Sequence, residues 1–115
     1  MKKECVKKNN YKTFNLNPDE IWPLLNILNE ICHGIKINNF EKTIGAKKDS
    51  VVKLLDKITE IENEQCCFLK LNDFELKILE NSFSEVFKQI DLWEFQTRIG
   101  VSLDEAKKIK EILNN

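Results

Sequence analysis

The chain has 115 residues and a formal net charge of −1, with 42% hydrophobic and 32% charged residues, which excludes disordered and fibrous classes and fits one globular domain at about 100–200 residues per domain. Its 3 glycines, 2 prolines and single histidine leave little material for phosphate loops, His-based catalysis or metal sites. No run of about 18 apolar residues offers a membrane span. The basic start Met1-Lys2-Lys3 leads into further charge rather than an apolar signal core, so a cytoplasmic protein is expected.

The near-zero charge hides an asymmetry. Residues 1–57 hold 11 lysines against 7 acids, whereas residues 58–115 hold 6 lysines and 1 arginine against 12 acids. A single-sign surface either solvates the protein or steers a charged partner.

Sliding the sequence along itself by 55 residues superimposes 14–58 on 69–113 without a gap and with 12 identities, among them Asn17/Asn72, Glu20/Glu75, Leu24/Leu79, Asn26/Asn81, Glu30/Glu85 and Gly45/Gly100. The chain therefore reads as a tandem duplication. Each unit begins with a short extended piece, Thr13–Leu16 and Phe68–Leu71, and two such pieces can pair as a minor two-strand ribbon. A helix follows, written in capping chemistry: Asn17 and Asn72 as N-caps, Glu20 and Glu75 closing capping boxes. Its apolar stripe runs from Ile21 to Ile35 in the first unit and from Leu76 to Ile90 in the second, at helical spacing. Pro23 conflicts with the first of these helices, because it lacks the donor to residue 19, and predicts a kink or a start delayed to Trp22. Short helices over 38–44 and 92–99 come next, the latter opened by an Asp91/Glu94 capping box, and Gly45 and Gly100 end them in left-handed conformation. Final helices span 48–61 and 103–113. Ser102 with Glu105 caps the second, while Lys47 stands at the same place in the first. The expected fold is all-α: helix, short helix, helix, twice, packed on one shared core as a single domain over 1–115, because a unit of about 45 residues is too small to stand alone.

The four cysteines, Cys5, Cys32, Cys66 and Cys67, show no C-x-x-C spacing and are expected to be free thiols. Cys32 lies on the apolar stripe. Its neighbour His33 does not face it, since adjacent helical residues point about 100° apart, so neither a metal nor a Cys/His nucleophile is expected. Asn26 with Glu30, and Asn81 with Glu85, are the polar pairs repeated in both units. They read first as groups that bond a neighbouring helix end or loop. With no nucleophile–base pair, no metal set and no cofactor motif, the chain reads as a non-enzyme.

Residues 40–54 and 95–106 also have the look of helix-turn-helix units, which makes a nucleic-acid-binding regulator the alternative function. Asp104 and Glu105 would meet phosphates in the second unit, and Asp49 intrudes among Lys47, Lys48 and Lys53 in the first. There is no arginine before residue 98, and the pI of 5.9 is far below the ~9 of typical nucleic-acid binders. Protein binding is the better reading. Positions that differ between the units have left the shared packing role: Leu25 against Glu80, Asn38 against Trp93, Lys36 against Asp91. Trp93 among Glu80, Asp91 and Glu94 has the composition of a hot spot for a basic partner, with core packing as the competing role for Trp93. Glu60, Glu62 and Glu64 add negative charge.

The segments Asn26-Ile27-Leu28-Asn29-Glu30-Ile31-Cys32-His33-Gly34-Ile35 and Trp93-Glu94-Phe95-Gln96-Thr97-Arg98-Ile99-Gly100-Val101 resemble those of small cytosolic bacterial proteins encoded beside secreted polymorphic toxins, including immunity proteins of contact-dependent growth inhibition systems. The resemblance covers most of the chain and is carried by the repeated units. It implies a stoichiometric inhibitor of a cognate toxin domain, the expected partner being a nuclease such as an EndoU-type RNase. The modest acidity departs from the strongly acidic surface of many nuclease inhibitors.

Overall fold

The computed structural model describes residues 11–62 and 67–114. Strand β1 (Lys12–Leu16) leads into helix α1 (Pro18–Asn29), which passes into a π-helical turn (Glu30–Gly34); α2 (Phe40–Ile44) and α3 (Lys48–Glu62) follow. Strand β2 (Cys67–Leu71) then opens the same order again, with α4 (Asp73–Gln89), α5 (Leu92–Ile99) and α6 (Leu103–Asn114). The architecture is all-α with a minor ribbon.

Helix α1 starts where its cap dictates. The Asn17 side chain accepts from the Glu20 amide at 2.9 Å, and Glu20 Oε1 accepts from the Asn17 amide at 2.9 Å. Asn72 and Glu75 repeat both bonds at the start of α4, at 2.8 and 2.9 Å. This reciprocal cap satisfies two otherwise orphan donors, and it holds α1 open from Pro18 onward although Pro23 lies inside the helix and is buried. The delayed start predicted for α1 is therefore corrected. Pro23 still withdraws one bond, since it has no N–H to give to the Asp19 carbonyl.

The ribbon is antiparallel, with Lys12 opposite Leu71, Phe14 opposite Leu69 and Leu16 opposite Cys67. Phe14 and Leu69 are themselves equivalent under the 55-residue offset, so the ribbon is centred on matching positions. Phe14, Leu16, Leu69 and Leu71 point inward and are buried, while Thr13, Asn15, Phe68 and Lys70 face out. That alternation is what a strand with one buried face requires.

Both halves supply one apolar cluster. Ile21, Leu24, Ile27, Leu28, Val51 and Ile58 enter it from the first, and Ile78, Leu79, Phe83, Val86, Phe95 and Ala106 from the second. Phe87 extends the aromatic packing, with ring centroids 5.8 Å from Phe83 and 5.9 Å from Phe95. Leu25, Ile35, Leu55 and Ile61 pack at its margin, half-buried.

Three local details differ from expectation. The first short helix begins at Phe40 rather than at residue 38, because Asn39 takes φ +52°, a left-handed conformation that Asn tolerates better than most residues. The end of the first long helix is not α-helical: the Ile35 amide donates to the Glu30 carbonyl, five residues back, at 2.8 Å. At the equivalent place in α4 the Ile90 amide donates to Val86, four residues back, at 3.0 Å. Finally, Asp91 forms no side-chain cap on α5. The Glu94 carboxylate turns toward Arg98 Nη1 at 3.7 Å instead, so the predicted capping box is replaced by a plain turn, Glu94 amide to Asp91 carbonyl at 3.0 Å. The Ser102/Glu105 box does form, with both reciprocal bonds at 3.2 Å.

Candidate functional site

The repeated polar pairs are accounted for first. Asn26 Nδ2 donates to the Ile99 carbonyl at 2.7 Å, and Asn81 Nδ2 donates to the Ile44 carbonyl at 2.8 Å. Each asparagine thus binds the end of the other half's short helix. Gly45 and Gly100, at φ +90° and +98°, turn the chain immediately afterwards, and a Cβ on either would lie 3.2 or 3.1 Å from that same asparagine nitrogen. These residues hold the two halves together.

The glutamates part company. Glu30 receives a bidentate grip from Arg98, whose Nε lies 3.2 Å from Oε2 while Nη2 reaches Oε1. That bond raises the Arg98 pKa above its ordinary value, with burial opposing the rise. Position 43, equivalent to 98, is a threonine that bonds the Asn38 carbonyl at 3.1 Å. Glu85 therefore lacks an arginine from the other half and takes Gln89 of its own helix at 2.7 Å, with Lys88 at 3.9 Å.

Cys32 is buried and free. Burial pushes its thiol pKa up; nearby Lys48 opposes this and Asp56 adds to it. A buried, protonated thiol is a poor nucleophile, and its neighbour His33 is exposed. Among the described residues no three His, Cys, Asp or Glu side chains converge to hold a metal ion, and no helix is long and apolar enough to cross a membrane.

The surface residues singled out from the sequence fall into separate places. Asp91, Trp93 and Glu94 lie together at the α4–α5 junction, and Trp93 is 80% exposed with its neighbour Leu92 at 72%. Core packing is thus not the role of Trp93. Glu80 lies back along α4, half-buried, with Lys77 Nζ at 3.5 Å. Ten residues of helix, about 15 Å, separate it from Ile90. Glu60 and Glu62 are exposed at the end of α3, which Lys57 ties to the first turn of α4 through Glu75 at 3.0 Å. They flank the start of α4, and Trp93 follows its end, some 25 Å away along a 17-residue helix. Glu64 lies outside the described residues. The acids accordingly form no single ring around Trp93, whose immediate carboxylates are Asp91 and Glu94.

Several exposed apolar residues escaped the sequence reading, among them Leu92, Phe74 and Trp22, the last 59% exposed. The sequence signal for Trp22 was available: position 77, its equivalent, is a lysine. Comparisons with known protein families, with curated proteins and with solved structures return no match, so the resemblance to immunity proteins rests on the segments quoted above.

Proposed function

We propose that the chain is a non-catalytic binding protein of the immunity type, which neutralises a cognate toxin domain, a nuclease in the first instance, by stoichiometric association through the α4–α5 junction. The observation that carries this reading is the exposure of Leu92 and Trp93 side by side. An indole left in water forgoes roughly 1.5–3 kcal/mol of burial, a loss recovered when a partner covers it. Asp91 and Glu94 at its rim favour a basic counterpart and speed encounter more than they add affinity. Tight association in excess over the toxin then leaves little of it free.

The test is growth protection and binding with the variable C-terminal domain of a large secreted protein encoded next to this chain. The native protein should protect and bind, and Trp93→Ala with Glu94→Lys should weaken the complex about 100-fold or more while helical circular dichroism is retained. Unchanged affinity in that variant removes the proposed surface.

The exposure of Lys47, Lys48 and Lys53 at the start of α3 favours the second reading, a helix-turn-helix-like regulator. Against it stand exposed Asp49 beside them and exposed Asp104 and Glu105 at the start of α6. Binding to a DNA duplex that falls steeply with salt would support this second reading, and no duplex binding at low salt would reject it.

A further inference from the structure

A groove of about 290 Å³ lies between the first turns of α1 and α6, lined by Asp19, Trp22, Pro23, Gly100, Val101 and Glu105. A second groove, of about 320 Å³, occupies the corresponding place in the other half: Phe74, Ile78 and Ser50 line it and are the 55-residue equivalents of Asp19, Pro23 and Glu105. The two differ in what fills them. In the second, the chain supplies its own cation, for Lys57 Nζ sits 3.0 Å from both oxygens of Glu75, and both residues line the groove. Around the first, Glu20 stands at the position of Glu75 and makes the same capping box, but the position of Lys57 is held by Ile112. Among the described residues no ion pair to Glu20, Asp19 or Glu105 is formed.

The first groove has further features that suit a cation. Trp22, 59% exposed, is among its lining residues, and indole is the best of the rings for holding an ammonium or guanidinium. Asp19 and Glu105 are exposed carboxylates on the same lining. Pro23, also on the lining, has no N–H and so withdraws the α-helical donor from the Asp19 carbonyl.

We infer that the Trp22 groove is a receptor for an arginine or lysine side chain on a basic segment of a partner protein, the cation lying against the indole between Asp19 and Glu105, two carboxylates to which no cation of the described residues is paired. The groove is at the far end of α5 from Trp93, about 10 Å along the axis, and the inference does not depend on the α4–α5 junction.

Because the chain has 2 tryptophans, Trp93→Phe leaves Trp22 as the sole indole, and its emission reports the groove directly. In that background a glycine-spaced arginine peptide should change the emission saturably, the matching glutamate peptide should not, and Asp19→Asn with Glu105→Gln should weaken binding about tenfold or more. Glutamine at 105 retains the capping box with Ser102, so folding, followed by circular dichroism, is preserved. Asp56→Asn with Glu41→Gln removes as much charge elsewhere and should leave the affinity within about twofold. The inference is overturned by the absence of a saturable change, by an equal response to the glutamate peptide, by equal weakening in both charge variants, or by sedimentation showing that the change in emission follows self-association of the chain.

Discussion

The end of α1 and the end of α4 start from the same residue pattern and finish differently. Both carry an inward-pointing glutamate, Glu30 or Glu85, four residues after an asparagine that binds the opposite half. Arg98 reaches Glu30 from α5, and there the helix widens into a π turn; among the described residues Glu85 pairs with Gln89 and Lys88 of its own helix, and there the helix stays regular. Gly34 belongs to the same arrangement. A Cβ at Gly34 would collide with Glu30 Oε1, and the arginine keeps that carboxylate from swinging aside. The equivalent position in α4 is Gln89, whose side chain instead donates to Glu85. A substitution of threonine by arginine between the units thus coincides with a change of helix type more than 60 positions away in sequence.

The comparison is most severely tested where the halves should be alike. Leu24 and Leu79 are equivalent and wholly buried in one cluster. Replacing either with alanine should cost about 2–5 kcal/mol, and the two costs should agree within about 1 kcal/mol in urea titrations. A loss in one half much smaller than in the other, or two separate transitions, would show that the halves do not share their core energetically.

A smaller effect separates the halves. Arg98→Ala leaves Glu30, whose side chain is 15% exposed, without its partner and should cost about 1.5–3 kcal/mol. Lys88→Ala removes the nearest cation from Glu85, but that lysine is 76% exposed, and surface pairs are worth under about 1 kcal/mol. Chemical denaturation of both variants checks the ranking. Equal losses would mean that the bidentate pair and the π turn contribute nothing beyond an ordinary surface contact.

What could be read in the sequence is what local chemistry fixes. Asn17 with Glu20, Asn72 with Glu75 and Ser102 with Glu105 mark helix starts through bonds spanning three residues, and Gly45 and Gly100 mark helix ends through their backbone freedom. Alternation in the ribbon is legible for the same reason. The π turn is not, because Arg98 lies 68 positions from Glu30. Nor is the lost cap at Asp91, since Glu94 chooses between a backbone amide and Arg98 only once α5 has formed. Trp93 fits either a buried or an exposed place by its spacing, and only the packed halves decide. Glu60 and Glu62 seemed to join it because charge was counted along the chain, whereas the length of α4 keeps them apart. The Trp22 groove becomes legible once Trp22 is set against Lys77, its equivalent in the second unit.

The finest test concerns the two asparagines that cross between halves. Asn26→Ala and Asn81→Ala each delete one side-chain bond to a carbonyl at the end of a short helix, about 0.5–1.5 kcal/mol for the bond itself. Ile99 and Ile44, the residues whose carbonyls lose a partner, are both fully buried, which places the expected loss toward the upper limit of that range. Because the bonds are reciprocal, the single losses should match, and the double variant should lose at least their sum as α2 and α5 both loosen. Hydrogen exchange gives a sharper readout than a melting curve: Asn26→Ala should release amides of α5, the helix it touches, before those of α1, its own. Asn81→Ala should release α2 before α4. Release confined to the mutated helix would show that the asparagines support only their own half and that the exchange of bonds does not couple the two.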